Sequence, residues 1–94
     1  MHTLRIQHAV PDFDRWKQVF DRDPADRKGS GVRAYRVMRA VADSNLVLID
    51  LDFDTVEEAE AMHEKMRALW AGPGKAVTVE PTALVVTTVE QRSP

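Results

Sequence analysis

The sequence contains no cysteine, and this absence removes several kinds of chemistry at once. Without thiols there is no disulfide framework, no thiolate nucleophile and no iron-sulfur site, which fits a reducing compartment. No apolar run approaches the length needed to span a bilayer, and the first residues, MHTLRIQH, are too polar for a signal peptide. We therefore expect a cytoplasmic protein with no membrane partner.

A strong excess of one charge is also missing. The 13 basic and 15 acidic residues are spread along the chain and give a formal net charge of -2. Because no basic run is present to follow a phosphate backbone, we predict no nucleic-acid partner. The histidines, at positions 2, 8 and 63, lack the paired spacing typical of metal ligands. We expect neither a metal site nor a cofactor.

Periodic patterns predict six elements in the order strand, helix, strand, strand, helix, strand. Alternation of apolar and polar residues, or enrichment in valine and threonine, predicts strands over 4–10, 32–41, 46–53 and 83–90. Helical spacing of apolar residues predicts one helix after a cap at Asp12. A second helix is predicted after the capping sequence Asp54-Thr55-Val56-Glu57, and Gly72-Pro73-Gly74 ends it.

This order predicts an α+β protein, a ferredoxin-like βαββαβ domain over residues 1–94 with a four-stranded antiparallel sheet and both helices on one face. Alternation in the third strand places Val47, Ile49, Leu51 and Phe53 beneath the helices with Leu4 and Ile6. The opposite face then combines charged and apolar side chains, namely Arg5, Gln7, Met38, Leu46, Leu48, Asp50 and Asp52. Such a face fits two sheets packed together in a homodimer, and a monomer with a solvated sheet face is the alternative.

Polar residues of that face are the candidate ligand-binding residues, namely Arg5, Gln7, Arg36 and Asp50. Asp50 is also a candidate catalytic residue, because a second carboxylate at Asp52 would raise its pKa and make it a general base. Arg5 instead favours a structural ion pair with Asp50 across neighbouring strands. The same alternation leaves both hypotheses open.

His8 is the other candidate catalytic residue, because imidazole titrates near neutral pH and can transfer protons. The alternative is structural, since His8 shares its strand face with Leu4 and Ile6. In that position its ring would lie beneath the helices, hydrogen-bonded to a backbone group near the start of the first helix. Trp16, which shares an apolar stripe with Phe13 and Phe20, is predicted to be a core residue.

The stretch HAVPDFDRW, residues 8–16, with Phe20-Asp21 after it, resembles the dimeric α/β-barrel superfamily that includes the antibiotic biosynthesis monooxygenases. The resemblance continues through Arg27, Gly31, the DSN sequence at 43–45 and the FD sequence at 53–54. It implies a homodimer whose two sheets close into an α/β barrel around a ligand-sized cavity. Activities in the superfamily include oxygenation, isomerisation and haem breakdown, and some members have no known activity.

Haem-degrading members carry a tryptophan and a histidine on the second helix and an asparagine near the end of the first strand. Here His63 precedes Trp70, which reverses that order, and Gln7 matches the asparagine only loosely.

The preferred prediction is a homodimer that binds a small organic molecule in the barrel, because no residue set requires catalysis. The alternative is a cofactor-independent monooxygenase or isomerase acting on a small aromatic or polyketide-like molecule.

Overall fold

The computed structural model describes the whole chain, from Met1 to Pro94. Its elements are β1 (His2–Ala9), α1 (Phe13–Asp21), β2 (Ala34–Arg39), β3 (Leu46–Phe53), α2 (Val56–Ala71) and β4 (Val79–Thr87). The strands form one antiparallel sheet in the order β2-β3-β1-β4. The predicted α+β, ferredoxin-like βαββαβ fold is confirmed. Neither helix combines the length and the apolar character that a membrane crossing requires.

The hydrophobic core lies between one face of the sheet and the two helices. Alternate residues of β3, at positions 47, 49, 51 and 53, are each 2% exposed or less, as the alternation predicts. The helices and β1 contribute further fully or almost fully buried side chains, namely Leu4, Ile6, Trp16, Ala59 and Met62. Because all of these pack on one side, the other face of the sheet has no covering layer within the chain.

Side-chain caps define where the two helices begin. Asp12 caps α1 as predicted, since its Oδ1 accepts hydrogen bonds from two amide groups of the first turn, at 3.0 and 3.3 Å. In α2 the cap lies one residue later than predicted. Thr55 Oγ1 accepts from the Glu58 amide at 3.1 Å, so the capping pair is Thr55 and Glu58 rather than Asp54 and Glu57.

Strand β4 begins earlier than the predicted range of 83–90 and includes Pro81. A proline has no amide hydrogen to donate, but β4 is an edge strand and pairs only with β1. Its first residues are irregular, because the register shifts between Gln7 and Ala9 and Glu80 has a φ of 50°. The sequence prediction began the strand after Pro81 and therefore missed this bulged segment.

The connection over residues 22–33 is a series of turns, so β2 is shorter than the predicted 32–41. Arg27 holds this connection against α1, because its Nη1 donates to the carbonyl of Phe20 at 2.8 Å and its guanidinium lies 4.0 Å from the centroid of the Phe20 ring. Lys65 of α2 donates to the carbonyl of Ala25 at 3.0 Å. The connection is thus tied to both helices.

Candidate functional site

Asp50 lies at the centre of the open sheet face, between Arg5 of β1 and Arg36 of β2. Arg5 donates through Nε to Oδ1 and through Nη2 to Oδ2, both at 2.9 Å, and Arg36 Nη2 donates to Oδ2 at 2.8 Å. Asp50 is only 1% exposed because the two guanidinium groups cover it, while the arginine side chains remain 55% and 54% exposed. The predicted pairing of Arg5 with Asp50 is present, and Arg36 is a second partner that the sequence analysis did not assign.

The charges of this cluster stabilise one another. Hydrogen bonds from Arg5 lower the pKa of Asp50 below its ordinary 3.8, against the opposing effect of burial, and hydrogen bonds from Arg36 lower it further. The hydrogen bond with Asp50 raises the pKa of both arginines. An ionised carboxylate with two cationic partners is a weak base, so this geometry favours the structural ion pair over the general-base hypothesis for Asp50.

The four predicted ligand-binding residues do share the open face. Gln7 lies beside Arg5 on β1, is exposed, and faces Leu48 and Thr82 in the register of the sheet. None of the four lines either principal cavity of the chain. A ligand on this side would need a second sheet to enclose it, so the binding roles of Arg5, Gln7, Arg36 and Asp50 remain predictions that depend on a dimer.

A different candidate site lies on the other side of the sheet, between the sheet and the helices. This cavity has a volume of about 90 Å³ and is lined by 17 residues, of which 11 are hydrophobic. Two of the lining residues, Pro24 and Pro73, are exposed, so the cavity reaches the surface. An apolar chamber with few polar groups is typical of a site for a small organic molecule.

His8 is the only ionisable side chain that lines this cavity besides Arg27. It is 2% exposed, and its Nδ1 lies 3.2 Å from the carbonyl oxygen of Ala9, just before the start of α1. Burial lowers the pKa of His8 below its ordinary 6.5, although the hydrogen bond to Ala9 opposes this. The ring is therefore neutral at neutral pH. The sheet separates His8 from the cluster around Asp50, so the structure does not bring the two candidate catalytic residues together.

Several residues of the cavity were not identified as site residues from the sequence. Trp16 is 5% exposed, as predicted for a core residue, but it also lines the cavity together with Trp70 and Thr78. His63 is not among the lining residues. No motif spacing marks this set. The only available signal was the presence of a tryptophan on the inner face of each helix.

Known proteins resemble this chain in structure but not measurably in sequence. No family model and no curated protein sequence matches it. SnoaB, a cofactor-independent oxygenase from Streptomyces nogalater, matches with a TM-score of 0.77 and 13% identity over 96% of this chain and 94% of that chain. A variant of MhuD, solved with two manganese protoporphyrin IX molecules bound per active site, matches with a TM-score of 0.73 and 13% identity over 100% of both chains.

A third structure, of an antibiotic biosynthesis monooxygenase, has a TM-score of 0.68 and 10% identity over 96% of this chain and 100% of that chain. Identities this low establish a shared fold. The chain therefore has the ferredoxin-like fold of the antibiotic biosynthesis monooxygenase-like proteins, and the resemblance noted from its sequence is confirmed at that level.

Proposed function

We propose that this protein binds a small, mainly apolar organic molecule in the cavity between its helices and its sheet. The observation that carries the proposal is an apolar chamber that contains a buried, neutral imidazole, that of His8. Removal of apolar ligand surface from water supplies affinity, while a few polar groups fix orientation. The proposal is supported by the shared fold of SnoaB, an oxygenase, and of a MhuD variant solved with bound manganese protoporphyrin IX.

The size of the cavity restricts the ligand. Its volume of about 90 Å³ is below the roughly 150 Å³ of an engineered apolar cavity that admits benzene. A single aromatic ring is therefore expected to enter the cavity only in part, with the rest of the ligand projecting toward the surface. A porphyrin is far larger than this space, so the proposal concerns a smaller molecule.

The proposed location differs from that suggested by the sequence, which placed the ligand between two sheets of a barrel. Within one chain, the enclosed apolar space lies on the side of the sheet that faces the helices. The face with Arg5 and Asp50 is instead suited to contact another protein surface.

We infer that this open face pairs with the same face of a second copy. Apolar side chains flank the charged cluster, and two of them, Leu84 and Met38, are 57% and 37% exposed. Leu84 lies directly opposite Arg5 in the register. Two carboxylates, Asp50 and Asp52, compensate the two arginines within each chain, since Arg36 also lies 3.6 Å from an oxygen of Asp52. A second sheet can therefore cover this cluster without leaving an unpaired charge.

One observation favours a catalytic role as the second candidate. His8 places a neutral base in an apolar cavity, and SnoaB shares the fold and is a cofactor-independent oxygenase. A base so placed can remove a proton from an aromatic hydroxyl compound, and the resulting anion is more readily oxidised by dioxygen. Binding of the organic molecule is common to both functions.

The binding proposal is tested with para-fluorotoluene, a single-ring probe followed by fluorine NMR. We expect saturable binding to the wild-type protein. Val19→Trp, which fills part of the cavity from α1, should weaken that binding at least about tenfold, or about 1.4 kcal/mol. Val56→Trp is the control, because Val56 is a half-buried residue of α2 that does not line the cavity. Absence of saturable binding, or equal affinity in Val19→Trp, contradicts the proposal.

A further inference from the structure

We propose that Nε2 of His8 is the hydrogen-bond acceptor that orients the ligand, so that the cavity selects a ring compound bearing a hydroxyl group, a phenol or an enol. This inference rests on the proposed binding function of the cavity and adds the chemical class of the ligand. It is carried by the hydrogen bonding of His8 and by the residues around it.

The hydrogen bond of His8 fixes its tautomer. Its Nδ1 lies 3.2 Å from the backbone oxygen of Ala9. A carbonyl oxygen can only accept, so Nδ1 must carry the hydrogen. In a neutral imidazole the other nitrogen then has a free lone pair. Because burial keeps His8 neutral, Nε2 is an acceptor and not a donor.

The unprotonated nitrogen, Nε2, is assigned to the cavity by its surroundings. Every fully buried side-chain nitrogen and oxygen of the chain has a hydrogen-bond partner. His8 has one hydrogen bond, through Nδ1, so Nε2 is not fully enclosed by protein atoms. The residue is only 2% exposed and lines the cavity, so the proposal assigns the open space beside Nε2 to the cavity.

The other lining groups leave the acceptor role to His8. The indole groups of Trp16 and Trp70 can only donate, and no carboxylate lines the cavity. Arg27, the only permanent charge, donates to the carbonyl of Phe20 at 2.8 Å and its Nε lies 3.4 Å from an oxygen of Asp23. Thr78 is the only lining residue with a side-chain oxygen, and its hydroxyl can donate as well as accept, so Nε2 of His8 is the one lining side-chain nitrogen or oxygen that can only accept. A hydroxyl on the ligand therefore complements the site, whereas a carboxylate has no hydrogen to donate to Nε2.

The test compares para-fluorophenol with para-fluorotoluene, two probes of nearly equal size of which only the phenol can donate. The measured quantity is the ratio of their affinities in each variant. Because one hydrogen bond contributes about 0.5–1.5 kcal/mol net, His8→Phe should shift the ratio about twofold to thirteenfold toward the toluene. His8→Gln, which restores an acceptor oxygen, should recover part of the preference. His63→Phe is the control and should leave the ratio unchanged, because His63 does not line the cavity.

A second readout does not depend on the folding of a variant. Nitrogen NMR of the wild-type histidine rings should show Nε2 of His8 unprotonated and should show its resonance move when the phenol binds. An equal ratio in wild type and His8→Phe, or an Nε2 resonance unaffected by bound phenol, overturns the assignment of His8 while cavity binding stands. Failure of both probes to bind overturns the binding proposal and this inference together.

Discussion

The imidazole of His8 meets the indole of Trp16 edge-on, with ring centroids 5.4 Å apart and ring planes inclined by 64°. Trp16 in turn stacks on Phe20, with centroids 5.1 Å apart and planes inclined by 29°. Aromatic contacts of this kind fix ring orientation as well as contributing stability. The packing of Trp16 in α1 therefore helps to fix the orientation of the His8 ring on β1.

Trp16→Ala should destabilise the fold by about 3–5 kcal/mol, the usual range for emptying a large aromatic core site. Trp16 is 5% exposed and contacts aromatic rings on both sides, so its loss leaves a cavity that the rigid sheet cannot close. Urea unfolding measures the change. Trp70→Ala is the matched comparison and should cost less, because Trp70 is only half-buried. Equal costs for the two tryptophans would show that burial at Trp16 does not determine the stability.

The pKa of His8 predicts how stability depends on pH. Burial lowers this pKa in the folded chain below 6.5, so the unfolded chain binds the proton more readily. The contribution of the neutral His8 ring to the free energy of unfolding is therefore complete above pH 6.5. This contribution is lost as the pH falls toward the pKa of His8 in the folded chain, which is lower. His8→Phe removes this linkage, and its free energy of unfolding should fall less steeply over that interval.

The control for the pH prediction is His63→Phe, which leaves His8 in place. Chemical denaturation at a series of pH values below 6.5 compares the three proteins. If the free energy of unfolding changed equally with pH in the wild type and in His8→Phe, the burial of His8 would have no effect on proton binding.

The sequence was sufficient to predict the fold because its signals are local and repeat along the chain. Alternation in β3 assigned residues 47, 49, 51 and 53 to the core, and Asp12 marked the start of α1. The same alternation placed Arg5 and Asp50 on one face, where they pair. Errors occurred where spacing was ambiguous, as in the capping sequence before α2, or where an edge strand tolerated a proline.

The cavity was harder to predict, because it depends on how elements far apart in the sequence approach each other. Pro24, Trp70 and Thr78 line one space only after the 22–33 connection and the segment after α2 close over the sheet. Sequence spacing gave His8 two readings, structural and catalytic. The structure shows the buried position that the structural hypothesis predicted, and His8 also lines the cavity, so the two hypotheses are compatible.

Because Arg5 and Arg36 both contact Asp50, we expect the stability costs of replacing the two arginines not to be additive. Arg5→Met alone leaves Asp50 paired with Arg36, and Arg36→Met alone leaves it paired with Arg5. Each single change should cost about 1–2 kcal/mol at most, on the scale of a hydrogen bond to a charged group. The double variant leaves the carboxylate without a cation, so its cost should exceed the sum of the single changes by more than about 0.5 kcal/mol.

The matched comparison is the exposed pair of Arg33 and Asp54, whose side chains are 62% and 50% exposed. Its coupling energy in a double-mutant cycle should be small, about 0.2–1 kcal/mol, because water screens both charges. Strict additivity at Arg5 and Arg36 would show that each arginine acts on Asp50 independently of the other.

The proposed pairing of the open sheet faces predicts that a charged substitution at Leu84 weakens the dimer. We expect the wild-type protein to be a homodimer at micromolar concentration in sedimentation velocity. Leu84→Asp places a carboxylate on the open face at a side chain that is 57% exposed in the single chain, so it should shift the protein toward monomer with little loss of monomer stability. Val41→Asp is the control, because Val41 is fully exposed in the turn after β2, outside the sheet. Dissociation by both variants, or by Val41→Asp alone, would place the contact elsewhere, and a wild-type monomer would leave the face solvated and remove the barrel.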